Sequence, residues 1–131
     1  MPGKAVYDTR FFIELLYQKD PARLNQLKEE LRQNKHRTVS TVTIYEQHRI
    51  DTHREGKTVA TLRSEAIQRD FTVIPLDYIT SVKAAEISEQ YRTPLADSVI
   101  AATALQNNIP VVSDDPHFKQ IKSLKTKWPI K

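Results

Sequence analysis

The chain has 131 residues, 39% hydrophobic and 27% charged. That composition fits a folded domain with a core of its own and excludes a disordered polyelectrolyte. It has no cysteine and only two glycines, Gly3 and Gly56, which excludes a disulfide framework, a thiolate metal site, a GxGxxG dinucleotide loop and a Walker-type phosphate loop. The formal charge of +4, from 20 Lys and Arg against 16 Asp and Glu, is a mild bias that by itself implies solubility and no particular partner.

The opening residues "MPGKAVYD" contain no long apolar stretch of the secretory kind, and no later run approaches the length of a membrane span. A soluble cytoplasmic protein, one domain over residues 1–131, is the expectation. "KAVYD" (4–8) reads as a first strand, followed by helical segments over 9–18 (Phe11, Phe12, Leu15, Leu16) and 21–34 (Leu24, Leu27, Leu31). After the connection "QNKHRT", a second β-branched run, "TVSTVTIYE" (38–46), leads into a helix that starts near Thr43. A helical stripe of Val59, Leu62, Ala66 and Ile67 covers 58–70. "FTVIPLD" (71–77) is a third strand, 78–91 and 94–106 are two more helices, and "IPVVSDD" (109–115) is a fourth strand. A short last strand is expected around "KTKWPI", with Trp128 as a packing residue. Short strands alternating with helices specify an α/β fold, here three layers, α/β/α, around a central, mostly parallel sheet.

The helix "TPLADSVIAATAL" (93–105) has no clearly polar side and is expected to be buried, yet it carries Asp97. A buried carboxylate requires a partner or loses its charge. Other acids stand at the ends of strands, where the crevice of an α/β sheet lies: Asp8, Glu46, Asp77, and the pair Asp114 and Asp115. Each has a local explanation as well. Asp8 and Asp77 suit helix N-caps, Thr43-x-x-Glu46 fits a capping box, Asp115-Pro116 is a well-formed helix start, and Asp97 lies in a first turn where the dipole favours an anion.

Taken one at a time, capping is the better reading of each acid. Taken together, several carboxylates in one crevice repel one another unless a cation compensates. An all-oxygen donor set favours Mg²⁺ or Mn²⁺. His36, His48, His53 and His117 read as surface residues or as groups behind the ligands. Basic residues gather in two places, Arg49–Lys57 and the lysines after Asp115, as polyanion-binding patches or solvated faces.

The order of these motifs resembles the PIN domain family, in particular the VapC-type toxin ribonucleases of VapBC toxin–antitoxin pairs. The match runs through strand-"DTRFF" (Asp8 to Phe12), "STVTIYEQ" with Glu46, and "PLADSVIAATALQNNIPVVSDDPHF", and covers nearly the whole chain. The resemblance implies that Asp8, Glu46, Asp97 and Asp115 form an acidic site for Mg²⁺ or Mn²⁺. Asp115 is preferred to Asp114 because Ser113-x-Asp115 reproduces the family's T/S-x-D spacing. Thr9 and Ser113 are implied as hydroxyl contacts to the site or to phosphate, with Asp114 outside the ligand set and Asp77 returned to capping.

The implied activity is hydrolysis of RNA phosphodiester bonds by a toxin that forms a homodimer and is held by a small antitoxin protein. Arg10 stands where the family often has a smaller residue; it is read as a phosphate clamp, as a partner for an acid, or as a solvent-facing residue. Two rival readings remain: a phosphoacceptor domain, which lacks the expected D-x-D and lysine, and a PIN-like binding module without activity.

Overall fold

A computed structural model describes residues 4–131. The sheet consists of β1 (Lys4–Tyr7), β2 (His36–Ser40), β3 (Thr72–Ile74), β4 (Val111–Val112) and β5 (Thr126–Lys127). Its order is β3-β2-β1-β4-β5 and every neighbouring pair is parallel. The helices are α1 (Thr9–Tyr17), α2 (Pro21–Gln33), α3 (Thr41–Glu55), α4 (Lys57–Asp70), α5 (Tyr78–Tyr91) and α6 (Leu95–Asn107), with a 3₁₀ turn over Pro116–Gln120.

Parallel strands need a crossover for each step, and the crossovers cover both faces of the sheet. In β1, Ala5 and Tyr7 pack with Phe11, Phe12, Leu27, Ile67 and Val112, while Val6 packs with Ile100, Ala101, Val111 and Phe118. The sheet therefore lies between α1, α2 and α4 on one face and α5 and α6 on the other. Trp128 packs on the first of these cores, as a packing residue should.

Local chemistry sets the element boundaries, and some differ from expectation. Ser40 is the N-cap of α3, its side chain accepting from the Val42 amide at 3.2 Å. The second strand accordingly ends at Ser40 rather than running to 46, and α3 starts at Thr41. Thr43 is buried inside the helix, so Thr43-x-x-Glu46 is not a capping box. A β-branched run reads as strand by propensity, but a cap at its centre and burial against neighbouring helices decide otherwise.

The third strand is only three residues long, since Pro75 has no amide hydrogen to continue the ladder. Asp77 and Asp115 do act as caps, accepting from Thr80 N at 2.8 Å and His117 N at 2.9 Å. Helix α6 is buried from Ser98 to Ala104, but Leu95 at its start is 74% exposed, so the helix is not enclosed along its whole length.

A carboxylate centre at the sheet's switch point

The chain builds β1, β2 and β3 outward in one direction, then returns past β1 to lay down β4 and β5 on its other side. The carboxyl ends of β1 and β4 thus flank the point where strand order reverses, the usual place for a functional crevice in an α/β sheet. Asp8 directly follows β1, and Ser113, Asp114 and Asp115 directly follow β4. Helix α6 leads back to the start of β4, so it runs against the strands and begins at this same edge, with Asp97 in its first turn. Helix α3 leaves the edge from β2 and carries Glu46 in its second turn.

A chain of contacts joins these residues. Ser113 donates to Asp8 Oδ2 at 2.6 Å and accepts from the Asp115 amide at 3.0 Å. The His117 Nδ1 atom lies 2.8 Å from Asp97 Oδ2 and 2.9 Å from Asp115 Oδ1. Asp97, Asp115 and His117 bring one ligand atom each within 4.8 Å of one another. Thr9 donates to Glu46 Oε1 at 2.6 Å, which orients that carboxylate from the first residue of α1.

Electrostatics ties Asp8 and Glu46 to the same cluster. Asp8 is 3% exposed. Burial pushes its carboxyl up to about 6; the Ser113 hydroxyl opposes the rise and the charge of Asp97 adds to it. Burial likewise pushes Asp97 up to about 6, reinforced by Asp115 and Glu46 and opposed by His117. Among the described residues, no ion pair brings a lysine or arginine to Asp8, Glu46, Asp97 or Asp115. Four carboxylates at one edge of the sheet, with His117 between two of them and no lysine or arginine in an ion pair with any, offer oxygen donors of the kind that a hard divalent cation takes. The residues fit such an ion.

The remaining candidates fall to either side. Ser113 is hydrogen-bonded to Asp8 and Thr9 to Glu46. Asp114 is held by Arg10, whose Nε and Nη2 donate to its two oxygens at 3.0 and 3.3 Å, while Nη2 also reaches Glu14 at 3.4 Å. Of the three readings of Arg10, pairing with an acid is the one realised, and the acid is outside the cluster. His117, expected as a surface residue or a group behind the ligands, is half-exposed and bridges two of the acids; the D-x-H spacing from Asp115 was its only trace in the sequence. Asp51 had no such trace. It is 1% exposed on α3 and accepts from Tyr17, Gln47 and Arg63 at 2.6, 3.0 and 2.9 Å.

Among known proteins, residues 5–124 match the family model described as PIN domain. No relative among curated proteins matches the chain. Solved structures of similar fold include a toxin–antitoxin complex from Klebsiella pneumoniae, at 18% identity over 98% of this chain and 99% of that one, with a TM-score of 0.77. DNA-bound VapBC from Salmonella typhimurium aligns at 17% identity over 95% and 97% of the two chains, with a TM-score of 0.81. VapC20 of Mycobacterium tuberculosis, described as a toxin that cleaves the sarcin-ricin loop, aligns at 18% identity over 93% and 99%, with a TM-score of 0.76. At these identities the likeness is one of fold. No helix among the described residues is long and apolar enough to cross a membrane.

Proposed function

The chain belongs to the PIN domain family, and on that premise we propose that it is a cytoplasmic endoribonuclease dependent on Mg²⁺ or Mn²⁺, the toxin of a toxin–antitoxin pair. The observation that carries this reading is the cluster of Asp8, Glu46, Asp97 and Asp115 with no lysine or arginine to neutralise it. A module that only binds RNA gains nothing from four acids gathered at one crevice, because they repel phosphate.

The four acids are the proposed metal ligands. These residues would hold a divalent ion, whose chemistry when bound would be to acidify a water and offset charge on the phosphate and the leaving oxygen. The protein's own part is orientation. Thr9 fixes the Glu46 carboxylate, Ser113 fixes Asp8, and His117 holds Asp97 and Asp115 together. Arg10, already engaged with Asp114 and Glu14, can donate to a non-bridging phosphate oxygen through Nη1, which bonds to neither acid. A small antitoxin is the proposed protein partner, in keeping with what the Klebsiella structure contains, and a second copy of the chain is the other.

Incubation of end-labelled RNA with the protein and Mn²⁺ or Mg²⁺ should yield internal cleavage that EDTA stops and that Asp97→Asn reduces at least 100-fold. In a thermal melt, Mn²⁺ should raise the Tm of the wild type by preferential binding to the folded state, and Asp97→Asn should remove most of that rise. RNA binding without cleavage, together with melts that Mn²⁺ leaves unmoved, would overturn the nuclease reading in favour of an inactive binding module.

A further inference from the structure

Below the carboxylate cluster, the seam between α1 and α3 opens into a cavity of about 390 Å³ lined by Ile13, Arg49, Ile50, His53 and Arg54. Its position follows from helix periodicity. Both helices leave the same edge of the sheet, and the Thr9–Glu46 hydrogen bond joins them there. Ile13 lies four residues beyond Thr9 and Ile50 four beyond Glu46, each one turn lower on the face it shares with its predecessor. Ile13 and Ile50 of the lining thus lie about 6 Å along their helix axes from Thr9 and Glu46, at about 1.5 Å per residue.

The lining is chemically one-sided. It contains no acid, and among the described residues neither Arg49 nor Arg54 takes part in an ion pair. The Arg54 guanidinium carbon lies over the Tyr17 ring, 4.3 Å from its centroid, a contact that orders the side chain without an acid to balance its charge. Ile13 and Ile50 are half-buried and supply an apolar wall between the cations. An apolar wall with two uncompensated guanidinium groups has the chemistry needed to hold a base or ribose and its phosphate, and the volume lies within the range of small-ligand sites.

We propose that this α1–α3 cavity is a nucleotide subsite, receiving the nucleotide next to the cleaved bond of a single-stranded RNA, with its phosphate on Arg49 and Arg54 and its base or ribose against Ile13 and Ile50. The inference rests on the nuclease reading for the identity of the strand, but binding can be tested without chemistry. The acids repel RNA and the arginines attract it, so the cavity supplies the grip that the cluster cannot.

The affinity of a fluorescein-labelled single-stranded RNA of mixed sequence is measured in EDTA across a series of KCl concentrations. Arg49→Ala/Arg54→Ala should weaken binding at least tenfold and flatten the slope of log K against log salt by about 0.7, the change for one phosphate that is no longer neutralised. Arg23→Ala/Lys28→Ala on α2, with the same change in net charge, should do neither. Ile13→Trp, or Ile50→Phe if the first variant melts early, fills the cavity without altering charge and should also weaken binding. If the arginine variant behaves like the α2 control, the subsite is refuted. If it weakens binding while the filled cavity does not, the arginines form a charged flank with no nucleotide between them, and the proposal falls. Loss of cleavage alone would bear on the nuclease reading and leave these binding results standing.

Discussion

Asp8 and Asp51 are both almost wholly buried, and the structure treats them in opposite ways. Asp51 accepts from a phenol, an amide and the Arg63 guanidinium, which lies 2.9 Å away. Asp8 receives one hydroxyl from Ser113 and faces the like charge of Asp97. Folding therefore favours the protonated forms of Asp8 and Asp97. Each carboxyl has an ordinary value of 3.8 and rises to about 6 in the folded chain. Between those values the folded chain binds more protons than the unfolded one, so stability falls as the pH rises through that window, and the burden is complete above it. The metal-free protein should gain about 1 kcal/mol per carboxyl in urea unfolding on going from pH 7.5 to pH 5, and Asp8→Asn/Asp97→Asn should flatten that dependence. Equal slopes for the variant and the wild type would place the titrating groups elsewhere. Asp8, Asp97 and Asp115 were legible because they stand at strand ends and helix starts, whereas Glu46, read at the end of the second strand, lies in the second turn of α3. His117 and Asp51 were not, because what distinguishes them is a neighbour distant in the chain.

The element that departs furthest from its sequence pattern is α3. "TVSTVTIYE" has the composition of a strand, yet only its first three residues belong to one. Thr43, Gln47 and Asp51 form its buried stripe, and a polar stripe carries no hydrophobic period to read. At its far end Gly56 is both the C-cap of α3 and the N-cap of α4, with φ of 91° and ψ of 169°, a conformation open almost solely to glycine. A Cβ there would meet nothing within 4 Å, so backbone strain is the sole obstacle to a side chain. Gly56→Ala should destabilise the protein by about 1–3 kcal/mol, measured as a lower urea midpoint at unchanged m-value. An unchanged midpoint would mean that the α3–α4 junction relaxes to accept the residue. The boundaries of β3, β4 and β5 were equally obscure in the sequence, since strands of two or three residues leave no period to follow.

Over the whole molecule, charge and apolar surface are unevenly spread. The acids gather at the carboxyl edge of the sheet, where the crossover topology delivers them. Of seven large apolar side chains exposed among the described residues, five are Leu76, Tyr78, Ile79, Val82 and Leu95, at the starts of α5 and α6. Scattered exposed hydrophobes need no explanation, but a concentration of them marks an interaction surface. The proposed second copy of the chain is expected to meet this surface with its own, in the self-complementary contact of a two-fold dimer. Sedimentation should find a dimer that Ile79→Glu/Leu95→Glu converts to monomer at unchanged folded-state circular dichroism. A wild type that sediments as a monomer would leave the patch to a different partner.

The sequence by itself determined the alternation of strands and helices, the absence of thiol and glycine-rich chemistry, and the set of acids at the ends of strands. These are local properties, carried by side-chain periodicity, by caps and by the residues that follow an apolar run. Tertiary structure decided which acids meet. Laying β4 beside β1 brings Ser113 to Asp8 across 105 positions of chain. The same edge sets His117 between Asp97 and Asp115, gives Asp114 to Arg10, and, among the described residues, leaves Asp8 with no ion pair. The physical reason is that desolvation and charge compensation belong to a residue's surroundings in space, and those exist only once the strands have taken their order.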